Sequence, residues 1–309
     1  MYGVRLAWGD LPPDLRSWVG DVLGGPVVTA VSQPGGFSPG TADRVVTASG
    51  RRAFVKAVSP AQNPGTPALH RREAAVLRTL TGLAEVPQLI DAYDDGDWVA
   101  LVVEDVEGAH PSIPWTDEEL RASLTSLTRL AGRAAPTTWP ALEEELVGEL
   151  GAWARIRQAG PATVGTPLDP WVADRLDELV DLSARTLPRL RGEAISHTDV
   201  RADNLLVTPD GSVRVVDWPW ASRGAAWADA VMLLVNVRWG GGLDVRPHLG
   251  TVLDLGATHE DVLGLVAGLG GFCTEAGGRA PEPGLPTLRQ FQREQARACL
   301  LLLRDLWDG

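Results

Sequence analysis

Apolar positions recur in two rhythms along this chain of 309 residues, and the change of rhythm divides it. Over the first hundred residues short β-branched runs dominate: 26–31, 44–48 and 52–58 read as strands, separated by a glycine-rich stretch at 34–41 and a turn at Ser49-Gly50. In 52–58 a period of two puts Phe54, Lys56 and Val58 on one face and Ala53, Val55 and Ala57 on the other. One helix, 69–80, interrupts the strands, with Glu73, Val76, Leu77 and Leu80 spaced i, i+3, i+4, i+7. A further strand covers 97–104, and regular structure breaks over 105–111. Beyond that break the rhythm is helical. The stretch 117–131 carries Leu120, Leu124, Leu127 and Leu130, and 142–157, 171–187, 227–239, 261–276 and 288–307 follow. Internal repeats are absent.

One hairpin interrupts the helical region. Residues 204–207 and 212–216 read as two strands joined by Thr208-Pro209-Asp210-Gly211, a register that would bring Asn204 and Asp217 close together at the open ends. Alone, this could be a surface hairpin with polar ends. Immediately before it stand His197, Asp199 and Arg201, and the set suits phosphoryl transfer. That reaction needs a carboxylate to receive the acceptor hydroxyl's proton, oxygen ligands for Mg2+ and a cation near the moving phosphate. Asp199 can be the first, Asn204 and Asp217 the second and Arg201 the third, although Arg201 could instead anchor the loop by pairing with Asp203. In the first region Glu73 sits on the apolar stripe of its helix and needs a partner; Lys56, among apolar neighbours, is the candidate. A lysine snorkelling to water and a solvated Glu73 beside Arg71 and Arg72 are the alternatives.

His197, Asp199 and Asn204 followed by Asp217, in this order and spacing, resemble the catalytic loop and metal segment of the aminoglycoside phosphotransferase and choline kinase-like family, relatives of protein kinases. The resemblance implies a two-lobed α+β fold of protein kinase type. A nucleotide-binding lobe with a small antiparallel sheet and one helix would span 1–104, a hinge 105–111, and a mainly helical catalytic and substrate-binding lobe 112–309. It further implies that Glu73 fixes Lys56 against the α- and β-phosphates, that Gly35 and Gly36 belong to the loop over the phosphates, and that the Glu104 carbonyl and Val106 amide take the adenine edge. His197 would pack under the catalytic loop and Asp229 would brace it. The implied reaction moves the γ-phosphate of ATP or GTP, with Mg2+, to a small-molecule hydroxyl. An aminoglycoside or other antibiotic is the first acceptor class. A sugar, amino-alcohol or nucleoside metabolite, or a catalytically silent nucleotide-binding regulatory protein, is the alternative.

Departures from the family pattern mark a divergent member. The loop at 34–41 lacks the kinase GxGxxG, and Thr41 stands where a Walker A lysine would be. Pro219 fixes φ two residues after Asp217, and Thr198 and Arg201 replace a frequent Gly and His.

Composition narrows the setting. A hydrophobic fraction of 44% supports a well-buried core, and Cys273 and Cys299 form no metal or CxxC pattern, which suits a reduced, cytoplasmic compartment. Neither a leader at residues 1–12 nor an apolar membrane-length run is evident. A net charge of −12 argues against nucleic acid as partner and permits a cationic substrate, although acidity also serves solubility. Twelve Trp stand beside two Tyr and four Phe, and Trp218, Trp220, Trp227 and Trp239 cluster after Asp217, as core fillers or as part of an acceptor cleft. Oligomeric state is open at this stage.

Overall fold

The computed structural model describes residues 5–33, 39–160, 164–165, 167–281 and 285–307. The described residues of Met1–Ala109, Leu206–Trp220 and Pro283–Pro286 form one compact unit, and those of His110–Leu205, Ala221–Glu282 and Thr287–Gly309 a second. The first unit therefore reclaims the hairpin segment from far along the chain, so a single cut near 105–111 does not describe the division.

The first unit is built on an antiparallel five-stranded sheet. Its strands are β1 (Val27–Ser32), β2 (Thr41–Thr47), β3 (Arg52–Val58), β4 (Leu89–Asp94) and β5 (Val99–Val103), in the order β1-β2-β3-β5-β4. β2 starts three residues earlier than its β-branched run because Thr41 and Asp43, polar but buried, extend it. Gly40 precedes it, where a Cβ would lie 2.3 Å from the Ala57 carbonyl oxygen, so only glycine lets β2 approach β3 there. Helix α2 (Thr66–Thr79) packs against the sheet.

In the first unit's sheet and its packing, β4 and the helix α1 (Pro13–Leu23) were not anticipated. Pro13 opens α1, Asp14 favours its first turn, and Gly24 stops it at φ 72°. Leu15, Val19 and Leu23 are buried along its inner face, and Val19 and Leu23 share a core with Val45, Ala53, Val55 and Val102. Each such side chain contributes about 1.5–3 kcal/mol by burial. The hairpin strands β7 (Leu205–Val207) and β8 (Val213–Val215) form a two-stranded sheet, with Gly211 in the turn at φ 80°.

The second unit is mainly helical. It holds α3 (Asp117–Ala131), α4 (Leu142–Glu145), α5 (Val147–Leu150), α6 (Ala152–Ala159), α7 (Pro170–Asp174), α8 (Leu176–Thr186), α9 (Ala228–Gly240), α10 (Leu249–Asp254), α11 (His259–Gly277) and α12 (Leu288–Leu306). The helix expected over 142–157 is three short ones, punctuated by Leu146 and Gly151, and 171–187 is two, broken at Arg175. α9 is buried on every side from Ala228 to Val237, which makes it the central helix. α11 lies against α12 and α8; at Gly264 a Cβ would meet the Thr186 hydroxyl at 1.8 Å. Two short strands, β6 (Ala194–Ser196) and β9 (Ser222–Gly224), pair antiparallel and hold the start of the loop 197–204. Among the described residues no helix is long and apolar enough to cross a membrane.

Candidate active site

In the first unit, β3 and α2 bring Lys56 and Glu73 together. The ammonium donates to both carboxylate oxygens, at 2.8 and 2.9 Å, and to Asp217 Oδ1 at 2.5 Å. Side-chain exposure is 16% for Lys56, 4% for Glu73 and 41% for Asp217, so the acid on α2 is sealed and the acid after β8 is accessible. Burial works against charge on Lys56, yet the carboxylates of Asp217 and Glu73 outweigh it and hold its pKa above the ordinary lysine value. Glu73 also accepts from the Trp218 amide at 3.4 Å, which ties α2 to the backbone just past Asp217. Asp217 itself adopts φ 68°, a left-handed conformation rare outside glycine and best tolerated by Asp and Asn.

The second unit holds the loop that carries Asp199. Asp229, at the start of α9, receives three donors. Its Oδ1 accepts from the Ser196 hydroxyl (2.8 Å) and the Thr198 amide (3.0 Å), and its Oδ2 from the His197 amide (2.6 Å). This grip pins Thr198 at φ 71°. His197 is fully buried, and its Nδ1 accepts from the Asp199 amide at 3.3 Å, which places a neutral ring's proton on Nε2. Asn204 ends a 3-10 turn, Ala202–Asn204, and donates through Nδ2 to the Asp199 carbonyl (2.8 Å) and to Asp199 Oδ2 (3.1 Å). Its nitrogen thus faces Asp199, and its carbonyl oxygen, the atom a hard cation takes, is bonded by no described residue.

Arg201 is not a lone cation. It pairs with Asp199 Oδ1 and makes a fork to Asp203 at 3.0 and 3.1 Å, and its guanidinium lies 5.6 Å from the Phe291 ring centre on α12. The pairing with Asp203 weighed in the sequence is present.

In the segment after β5, the Glu104 carboxylate takes Arg214 (2.6 Å) and the Gln88 amide (3.1 Å), while the Val106 carbonyl takes Arg44 at 3.1 Å. The Glu104 carbonyl and Val106 amide make no hydrogen bond with another described residue, so both remain open to a ligand. Gly35 and Gly36 lie outside the described residues.

Three participants were not read from sequence. Asn236 on α9 accepts from the Ala202 amide at 3.0 Å through its side-chain oxygen. It lies seven residues after Asp229 on a helix that is apolar between them, and that i, i+7 pair of polar residues was the available signal. His70, three residues before Glu73, is buried with Nε2 unpaired; burial, then the nearby Lys56 ammonium, depress its pKa to about 3. Arg5 adds a second cation near Asp217. Its own pKa is lowered by burial, while Asp217 and Asp43 pull it upward. An isolated arginine near the start of the chain carried no periodic signal.

The sequence profile of the phosphotransferase enzyme family matches residues 34–265. No curated protein matches the chain. Among solved structures, the chain is similar to the aminoglycoside phosphotransferase of Alicyclobacillus acidocaldarius, at 17% identity, 96% of each chain and a TM-score of 0.59. It is similar to the choline kinase LicA of Streptococcus pneumoniae at 13% identity, covering 96% of this chain and 98% of that one, with a TM-score of 0.60. An amicoumacin kinase solved with AMP-PNP and Ca2+ is similar at 14% identity, over 87% and 88% of the two chains, with a TM-score of 0.53. At these identities the structural likeness speaks for the fold, a kinase-like α+β fold, and the profile speaks for the family. The chain belongs to the phosphotransferase enzyme family.

Proposed function

We propose that this protein transfers the γ-phosphate of ATP or GTP to a hydroxyl of a small molecule, with an aminoglycoside or another antibiotic as the first acceptor class to test. A sugar, amino-alcohol or nucleoside is the second. The observation that carries the proposal is the buried Lys56 held charged by Glu73 and Asp217. A lysine with two carboxylate partners is a prepared anion site: phosphate oxygens can take the place of the accessible Asp217 carboxylate while Glu73 keeps the ammonium aimed.

Among the described residues no group of three or more His, Cys, Asp or Glu is placed to hold a metal. Asn204 in the second unit and Asp217 in the first each carry an oxygen of the kind Mg2+ prefers when phosphates and water complete its shell. When bound, Mg2+ would neutralise phosphate charge and orient the leaving diphosphate. Asp199 accepts the acceptor hydroxyl's proton as the new oxygen–phosphorus bond forms and the bond to the diphosphate breaks. Arg201, paired with Asp199 and Asp203, keeps that carboxylate oriented and offsets its charge.

The direct experiment is nucleoside diphosphate release by the purified chain with Mg2+ and ATP or GTP, screened against antibiotics, sugars, amino-alcohols and nucleosides. An acceptor-dependent release with a product heavier by one phosphate supports the proposal. Tight nucleotide binding with no acceptor-dependent release across the panel would identify a silent nucleotide-binding scaffold instead.

A further inference from the structure

Helix α1 covers the face of the sheet opposite Lys56. Leu15, Val19 and Leu23 pack in cores with Ala53, Val55 and Ala57, and the alternation along β3 turns Lys56 the other way. On the flank of α1, wholly within the first unit, lies a pocket of about 440 Å³ whose lining includes Trp8, Arg16, Asp21, Pro26 and Val27. That volume falls within the range of small-molecule sites, about 300–1,000 Å³. Glycines shape it. The Gly25 amide donates to the Gly20 carbonyl at 2.8 Å, and a Cβ at Gly20 would stand 3.3 Å from the Gly25 carbonyl oxygen, so the turn after α1 folds back onto the helix.

The charged groups of this pocket are unusual for the chain. Arg201 and Arg214, also largely buried, each meet a carboxylate. The Arg16 Nε is buried with no acceptor, and its guanidinium makes no ion pair among the described residues. A buried N–H left without an acceptor is unfavourable, so the site favours an acceptor brought by a ligand. Asp21 is exposed and its carboxylate likewise has no side-chain partner among the described residues. It stands five positions along the same helix, a rise of about 7.5 Å, and does not pair with Arg16. Asp10, Asp14 and Arg51 are close in chain or space but line no part of the pocket.

These groups define the ligand. A planar guanidinium matches a carboxylate, and the Asp21 carboxylate matches an ammonium. Trp8, half-buried against the α1 core, joins Pro26 and Val27 as an apolar wall. We propose that the pocket beside α1 binds a free apolar amino acid, with Arg16 on its carboxylate, Asp21 on its ammonium and its side chain against Trp8. The inference does not depend on the phosphotransfer reading.

Isothermal titration calorimetry of the full chain tests it, with L-phenylalanine, phenethylamine, hydrocinnamate and inorganic phosphate as probes. Saturable binding of L-phenylalanine at millimolar concentration or below is expected, with phenethylamine and hydrocinnamate, each lacking one charged group, weaker by about tenfold or more. Arg16→Gln should weaken L-phenylalanine by about tenfold, and Arg16→Lys should restore part of the loss. Asp21→Asn should weaken L-phenylalanine and leave hydrocinnamate unchanged. Neither side chain holds another, so both variants are expected to melt with the parent; should Arg16→Gln unfold, Asp21→Asn decides. Absence of saturable L-phenylalanine binding, binding indifferent to the substitutions, or any of the other three probes bound as tightly as L-phenylalanine overturns the proposal.

Discussion

Asp199 accepts hydrogen bonds from Arg201 and Asn204, so its carboxylate is oriented before any acceptor arrives. Removing it leaves Arg201 still forked to Asp203, which keeps the loop's charge balanced. Asp199→Ala is therefore expected to reduce acceptor-dependent diphosphate release by about 10²–10⁴-fold with nucleotide affinity retained, as measured by turnover beside equilibrium nucleotide binding. Turnover at the parent rate would remove Asp199 from the chemistry. His70 sets a different expectation. Its folded pKa of about 3 lies below the ordinary histidine value, so in the window between them the unfolded chain binds a proton that the folded chain does not. Stability therefore falls as pH is lowered through that window. His70→Leu removes this dependence, and urea melts at about pH 7 and about pH 4 should show the variant losing less stability than the parent by on the order of a few kcal/mol. Equal losses would mean that His70 is not held neutral. Lys56, by contrast, is kept charged by Asp217 and Glu73, so its own charge persists through neutral pH and the stability it contributes is lost as pH rises above the lysine range.

At the level of elements, α9 is the support of the loop 197–204. It carries Asp229 and Asn236 on one face of a buried helix, and between them they receive three backbone amides and one hydroxyl of residues 196–202. Asp229→Asn would turn an NH2 group toward one of these donors, leaving a buried N–H unpaired at a cost of about 1–3 kcal/mol. The predicted outcome is a lower melting temperature with a loss of turnover larger than any loss of nucleotide affinity, since Asp229 touches the loop and not the Lys56 cluster. Unchanged turnover would mean the loop holds its shape by other contacts. Elements were legible in the sequence where a pure period ran long enough, as in 117–131, which is a helix over the same residues. β4 was hidden because its run, LIDAYD, mixes acids into a half-exposed edge strand. α1 was hidden by Gly20 and Ser17 within its repeat, although Leu15, Val19 and Leu23 carried the helical spacing.

For the whole molecule, ligand linkage provides the broadest test. A nucleotide bound to the folded chain alone stabilises it by about 2.7 kcal/mol at a hundredfold excess over Kd. ATP or GTP with Mg2+ is therefore expected to raise the melting temperature, and chelating the metal should remove most of the rise; the absence of any shift with either nucleotide would contradict the nucleotide role of Lys56. The chain's order of short strands, a break, and then helices determined the α+β class, because strand and helix periods are local properties of sequence. The spacing of His197, Asp199, Asn204 and Asp217 likewise marked the family, since those residues lie close along the chain. Tertiary structure alone decided that Asp217 pairs with Lys56 across 161 residues and that Arg201 is held by two acids. It also decided that Asn236 secures the loop, and that of the tryptophans after Asp217 Trp220 stays exposed while Trp218 is buried. Periodicity reports which face of an element is apolar, whereas partner choice and burial depend on which faces folding brings together.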